Sequence, residues 1–189
     1  MRSLIKLLVI TLIIVYPFVV FFSLEWFSIR YLSLLIVFIF FLRLLTIKSF
    51  KKNNITWIIL TLLGMFLAFI GMISNNVIFI QLYPVLVSLS LLGVFTFSLF
   101  QPYSFITHIA MQISKEPLPS YVVKYTRKVT LVWCIFFGFN ATISIITILT
   151  GSITLWTLYN GLLSYMLIGI LISGEWILRW YVKRSYEQK

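Results

Sequence analysis

The tetrad Tyr125-Thr126-Arg127-Lys128 is the stretch of this sequence best suited to hold an anion. An Arg guanidinium presents a planar fork of N–H donors that matches a phosphate or carboxylate, and Lys adds a compact charge beside it. Arg43, followed by Lys51 and Lys52, supplies cations that can face the tetrad from an earlier helix end. Arg43, Arg127 and Lys128 are therefore the candidate contacts for an anionic head group. The same cations also fit a plainer role, because Lys and Arg at a helix end fix topology at headgroup depth.

Glu175 is the second ionisable candidate. It stands four residues before Arg179, which puts both on one helix face, and Trp176 and Trp180 repeat that spacing as an interfacial belt would. The alternative is that Glu175 points inward and pairs with Arg43 or Arg127, since an ionisable group at membrane depth is a functional candidate by default. Gln81, Asn140 and Asn160 are amides within apolar runs, and Tyr83 lies beside the first. Such groups bond across helices for about 0.6 kcal/mol each, or they line a polar path; with Glu175 they are the expected polar residues of the interior. Gly64, Gly71, Gly161 and Gly169 read as points of close helix contact.

Several chemistries are missing their parts. The chain has no Asp, one His and one Cys. That removes Asp-rich metal motifs, multi-His metal centres and intrachain disulfides. No glycine-rich phosphate loop and no Gly-x-Ser-x-Gly elbow occur. No catalytic constellation, cofactor or metal is expected, and His108 reads as a residue on the polar face of a short helix.

The elements that must position these residues follow from hydropathy. Hydrophobic residues make up 61% and charged residues 10% of the chain, against about 45–50% and 25% in soluble domains. Apolar runs long enough to cross a bilayer recur along it. The expectation is an all-α polytopic membrane protein, a single domain over 1–189 with six spans at about 7–22, 27–47, 55–73, 77–100, 122–149 and 153–172. The first run follows Arg2 and Lys6 but lacks a small-residue cleavage site, so it reads as a retained span, kinked at Pro17.

Between the fourth and fifth spans the pattern changes. Ile106, Ile109, Ala110 and Ile113 fall on one helical face, and Ser104, His108, Gln112 and Lys115 on the other. This predicts an amphipathic helix over 104–115, too short to span and suited to a bilayer interface. Glu116-Pro117-Leu118-Pro119 ends it.

Charge sets the orientation. Of the 15 Lys and Arg, only Arg30 falls in a turn expected outside. The positive-inside rule then places both termini on the cytoplasmic side of the membrane. The net charge of +11 belongs to anionic lipid headgroups rather than to nucleic acid. Tyr16-Pro17-Phe18-Val19-Val20 also echoes Tyr83-Pro84-Val85-Leu86-Val87. Three spans apart, the copies would run in opposite directions, as in transporters built from inverted repeats.

Several segments together resemble a known family. They are Leu82-Tyr83-Pro84-Val85-Leu86-Val87, Glu116-Pro117-Leu118-Pro119, Tyr125-Thr126-Arg127-Lys128-Val129-Thr130-x-Val132-Trp133 and Phe136-Phe137-x-x-Asn140. Leu158-Tyr159-Asn160-Gly161-Leu162 and Gly174-Glu175-Trp176 complete the set. Over about residues 80–180 the chain resembles small bacterial inner-membrane proteins encoded beside genes for aryl-polyene lipids and fatty-acid-like synthesis. Family members often carry an acidic-basic pair where Thr107-His108 stand here, a departure that weakens any role for the short helix. Some members bear a ketosynthase label, but a ketosynthase needs a reactive Cys with His partners in a soluble α/β fold, which this chain does not offer.

The resemblance implies a place in the synthesis or export of an envelope lipid. The expected function is to assist transport or hand-over of an acyl or polyene-type lipid. A non-transporting anchor that recruits cytoplasmic acyl-carrier or fatty-acid-like synthesis enzymes is the alternative, and a membrane-embedded lipid-modifying enzyme the third.

Overall fold

The computed structural model describes residues 17–18, 20–22, 28–46, 55–114 and 118–187. The first span up to residue 16, the basic loop 48–54, the side chain of Arg43, and Lys115 to Pro117 lie outside the described residues. The described residues are about 89% helical, with no strand among them.

Helix α1 spans Ile29–Thr46 and packs antiparallel to α2, Ile55–Ser74. The turn after α2 is made by Asn75 at φ +51°, with Asn76 Oδ1 accepting from the Ile78 amide at 2.9 Å. An amide side chain tolerates that left-handed turn, and it caps the next helix start. The following apolar run folds in two pieces, α3 at Ile78–Gln81 and α4 at Tyr83–Leu99. Pro84 lies in the first turn of α4, where its missing N–H is no loss.

Helix α5, Phe105–Ile113, is the short helix expected at 104–115. Helix α6, Ser120–Leu149, starts directly after Pro119 and runs for 30 residues. Gly151, at φ +69°, reverses the chain, a conformation open to glycine. Ser152 Oγ then accepts from the Leu155 amide at 3.3 Å and starts α7, Ile153–Thr157.

The last apolar run carries one feature its hydropathy did not announce. Residues Leu158–Leu163 form a π-helical turn before α8, Ser164–Glu187. The Ser164 amide reaches back to the Tyr159 carbonyl, five residues earlier. Gly161 permits the close approach made here. A Cβ at that position would stand 2.9 Å from the Phe18 ring. Gly64 serves the same end between α1, α2 and α4, where a Cβ would meet Phe40 at 2.7 Å and Tyr83 at 2.9 Å. Gly169 differs from expectation, for nothing lies within 4 Å of its added Cβ.

Three helical stretches, Ile78–Leu99, Ser120–Leu149 and Ile153–Trp180, are long and apolar enough to cross a membrane. Their outer surfaces are apolar as well: Phe97, Ile135, Phe139, Ile146 and Ile170 are all exposed. A helix apolar on every side belongs in hydrocarbon, because in water it would leave a patch no monomer tolerates. Two shorter apolar stretches, Ile29–Leu42 and Thr61–Ser74, accompany them.

The interior divides into two apolar clusters. Leu32, Ile36, Phe40, Ala68, Ile80 and Trp156 form one. Phe95, Phe136 and Phe137 form the other, with Trp133, Phe105 and Leu167 against it.

Candidate functional site

Between the clusters lies a band of amides and hydroxyls. Asn140 Nδ2 donates to Ser88 Oγ at 2.9 Å, and the Tyr159 hydroxyl donates to Asn140 Oδ1 at 3.0 Å. Ser144 Oγ donates to Asn160 Oδ1 at 2.6 Å, while Asn160 Nδ2 donates to the Trp156 carbonyl at 3.0 Å. Trp156, fully buried, gives its indole N–H to the Gln81 carbonyl at 3.2 Å. Gln81, Asn140 and Asn160 are all buried. Tyr83 is partly buried and packs its ring on Phe40 with centroids 5.0 Å apart. The bonds run α4 to α6 and α6 to the π turn, so the amides lock three elements together. In hydrocarbon such groups must find each other, because no water competes for them.

Beside this band is a cavity of about 130 Å³. Asn140, Asn160, Ser88 and Ser164 edge it, but most of its wall is apolar. Pro17 and Pro84, the two prolines of the Tyr-Pro echo, both line it.

A second polar cluster fixes α5. Ser104 and Thr107 hydroxyls lie 2.8 Å apart, Thr107 is 2.7 Å from Thr126 Oγ1, and Thr130 Oγ1 donates to Ser104 Oγ at 2.8 Å. All four side chains are buried. The face of α5 that packs inward is therefore set by Ser104, Thr107 and Ala110. Ser104, expected on the outer polar face, is at the centre of the contact. The apolar Ile113 is instead 74% exposed. Small hydroxylated residues let the helices approach closely, and their hydroxyls are satisfied within the contact. His108 is exposed on the outer side, its Nδ1 3.1 Å from the Ser104 carbonyl.

That docking leaves an apolar groove of about 360 Å³ between α4, α5, α6 and α8. Helix α6 contributes Val129, Trp133 and Phe137, one turn apart on a single stripe. Phe95 and Leu91 come from α4, Ile109 and Ile113 from α5, and Ile172 from α8. Glu175 and Arg179 are its charged residues. Arg179 is exposed and Glu175 only partly so.

Among the described ionisable candidates, Arg127, Lys128 and Glu175 have different surroundings. Arg127 Nη2 donates to the Leu99 carbonyl at the end of α4. It satisfies one of the last carbonyls of that helix, where a cation is also favoured by the helix dipole. Lys128 is exposed. Glu175 is met by Tyr125, whose hydroxyl lies 3.1 Å from the Glu175 carbonyl oxygen and 3.5 Å from Oε1. The tetrad therefore faces two ways: Tyr125 toward α8 and Arg127 toward α4.

Arg179 and Trp133 are the groove residues that the tetrad reading passed over. The signal was present in the i, i+4 stripe Tyr125-Val129-Trp133-Phe137, but an all-apolar helix hides its inward face. Among the described residues no group of three His, Cys or Glu side chains could hold a metal ion. No family model, curated protein or solved structure matches the chain.

Proposed function

We propose that this is a multi-pass inner-membrane protein that accepts the chain of an acyl or polyene-type lipid in the groove between α5, α6 and α8. The observation that carries the reading is the groove's composition: an apolar wall about 360 Å³ in extent with an exposed Arg179 at one end. Lys124, Arg127 and Lys128 are exposed at the same basic end of α6. A hydrocarbon chain would lie along Trp133 and Ile172 while an anionic carboxylate or phosphate head met Arg179. The guanidinium suits such a head because it is always charged and presents paired donors.

The six-span arrangement belongs to the same proposal. Helices α1 and α2, with 18 and 20 residues, rise about 27 and 30 Å, close to a bilayer core of about 30 Å. The positive-inside rule puts the basic end of α6, and so the groove mouth, on the cytoplasmic side. The place in envelope-lipid synthesis rests on the resemblance across residues 80–180.

The test is photolabelling of the purified protein in phosphatidylcholine nanodiscs with a palmitate analogue carrying a mid-chain diazirine. Label concentrated on peptides bearing Val129, Trp133 and Ile172, and displaced by excess palmitate, supports the groove. Label spread evenly over outward residues such as Ile135 and Phe139, with no displacement, sinks it.

One observation favours a second reading, a membrane anchor that recruits cytoplasmic synthesis enzymes. Arg127 is already spent on the Leu99 carbonyl, and α5 leaves Ile113 exposed. Co-purification of acyl-carrier or synthase partners that disappears when 104–128 is replaced, with groove labelling intact, would select it.

A further inference from the structure

The groove and the mid-bundle cavity adjoin, and Leu91 and Phe137 line both. Leu91 comes from α4 and Phe137 from α6, and Leu91 packs against the cluster of Phe95, Phe136 and Phe137 where these helices meet. Phe137 is held by its neighbours. It stacks edge-on against Phe95 at 5.1 Å between centroids and lies 5.6 Å from both Trp133 and Phe136. It is buried, whereas Leu91 is only partly so. On the groove side of this pair the wall is apolar. Beyond it stand Ser88, Asn140 and Ser164, whose polar groups are bonded to protein.

We propose that Leu91 and Phe137 form the floor of the groove and set the length of acyl chain it accepts. This rests on the groove reading given above and adds the specificity element. A chain entering with its head at Arg179 runs past Trp133 and ends against the Phe137 ring and the Leu91 methyls. A longer chain would need the space beyond them. That space is available in volume, about 130 Å³, and most of its lining is hydrocarbon. Its amides are already paired, so an entering methyl end displaces no hydrogen bond. The barrier is therefore steric, two side chains, and shortening either should join the spaces.

Because a methylene in the groove leaves lipid rather than water, chain length changes affinity little in a bilayer; the position of the chain end is the informative quantity. The experiment uses the full chain in phosphatidylcholine nanodiscs with saturated fatty acids of 10, 12, 14, 16 and 18 carbons, each bearing a diazirine at its terminal carbon. Labelled residues are mapped by peptide mass spectrometry. In the wild type, the shorter members should label groove residues, and one length should label Leu91 and Phe137. Longer members should leave the Ser88, Asn140 and Tyr165 peptides unlabelled at those positions.

In Leu91→Ala the longer members should label Ser88, Asn140 or Tyr165, at least five-fold above wild type. Leu91→Phe should move the length that reaches the floor to a shorter member. Leu91→Ala is the milder cut, and Phe137→Ala is the second variant, read only in protein that elutes as the wild type does on size exclusion.

Cavity labelling by the longest probe already in the wild type overturns the floor. Unchanged label positions in both Leu91 variants, with groove labelling intact, also overturn it and leave the groove reading standing. Absence of groove labelling in every protein removes the groove reading and the floor with it.

Discussion

Asn140 is the residue whose loss should cost the bundle most for the fewest atoms changed. Asn140→Leu keeps the volume close and deletes two interhelical bonds, one to Ser88 and one from Tyr159. Bonds of this kind contribute about 0.6 kcal/mol each in a bilayer, so their loss comes to about 1.2 kcal/mol. Tyr159 is buried, and its hydroxyl is then left without a partner, which adds about 1 kcal/mol. The single substitution should therefore destabilise by about 2.2 kcal/mol. In a Tyr159→Phe background only the Ser88 bond remains to be lost, at about 0.6 kcal/mol. The double-mutant cycle should thus return a coupling of about 1.6 kcal/mol between positions 140 and 159. Reversible unfolding in mixed micelles, or steric trapping in bicelles, measures it. A coupling below about 0.5 kcal/mol is what independent sites give, and it would refute the claim that the amide band locks α6 to the π turn.

Other expectations follow from single contacts. Ser104→Ala with Thr130→Val removes two of the four hydroxyls that dock α5 and leaves the Thr107–Thr126 bond, so amide hydrogen exchange should rise across Phe105–Ile113 and stay unchanged in α4. Gly161→Ala drives a Cβ to 2.9 Å from Phe18; overpacking of this kind costs about 1–3 kcal/mol, read as a lowered Tm. Arg127→Ala should change stability by less than about 1 kcal/mol, because the side chain is exposed, and should leave palmitate photolabelling intact. Arg179→Ala should reduce that labelling several-fold at matched protein levels; equal losses in the two variants would contradict the separate roles assigned to them.

Hydropathy located the long elements closely. The expected runs 55–73 and 122–149 stand against helices Ile55–Ser74 and Ser120–Leu149, the run 77–100 against two helices, Ile78–Gln81 and Tyr83–Leu99, and the run 153–172 against a helical stretch that continues to Glu187. These ends are set by local chemistry that a sequence displays: Asn75-Asn76, Pro102, Pro119 and Gly151-Ser152. The inward-facing side was harder to read, because lipid-facing and protein-facing positions are equally apolar and no moment separates them. On α5 the pattern misled for a physical reason. Ser104 and Thr107 count as polar in any amphipathic scheme, yet as small hydroxylated residues they make the tight contact with α6. Glu175 was expected either beside Arg179 or against Arg43 or Arg127; among the described residues the Tyr125 hydroxyl lies 3.5 Å from its Oε1. Pair rules weigh charge against charge and overlook a phenol one helix away. The π turn left no composition signal, since Leu-Tyr-Asn-Gly-Leu-Leu suits an ordinary helix as well.

That turn governs more than its own six residues. An α-helix advances about 100° and 1.5 Å per residue, and a π turn accommodates one residue more than the α pattern allows. Deleting a single residue between Leu158 and Leu163 should therefore let the turn close to ordinary α-helix and leave Ile172, Glu175 and Arg179 in the groove. A deletion in the regular part of α8, between Ser164 and Leu171, would instead rotate those three residues together by about 100° and draw them in by about 1.5 Å. The π turn is thus the place where this run can lose a residue without moving the groove's third wall.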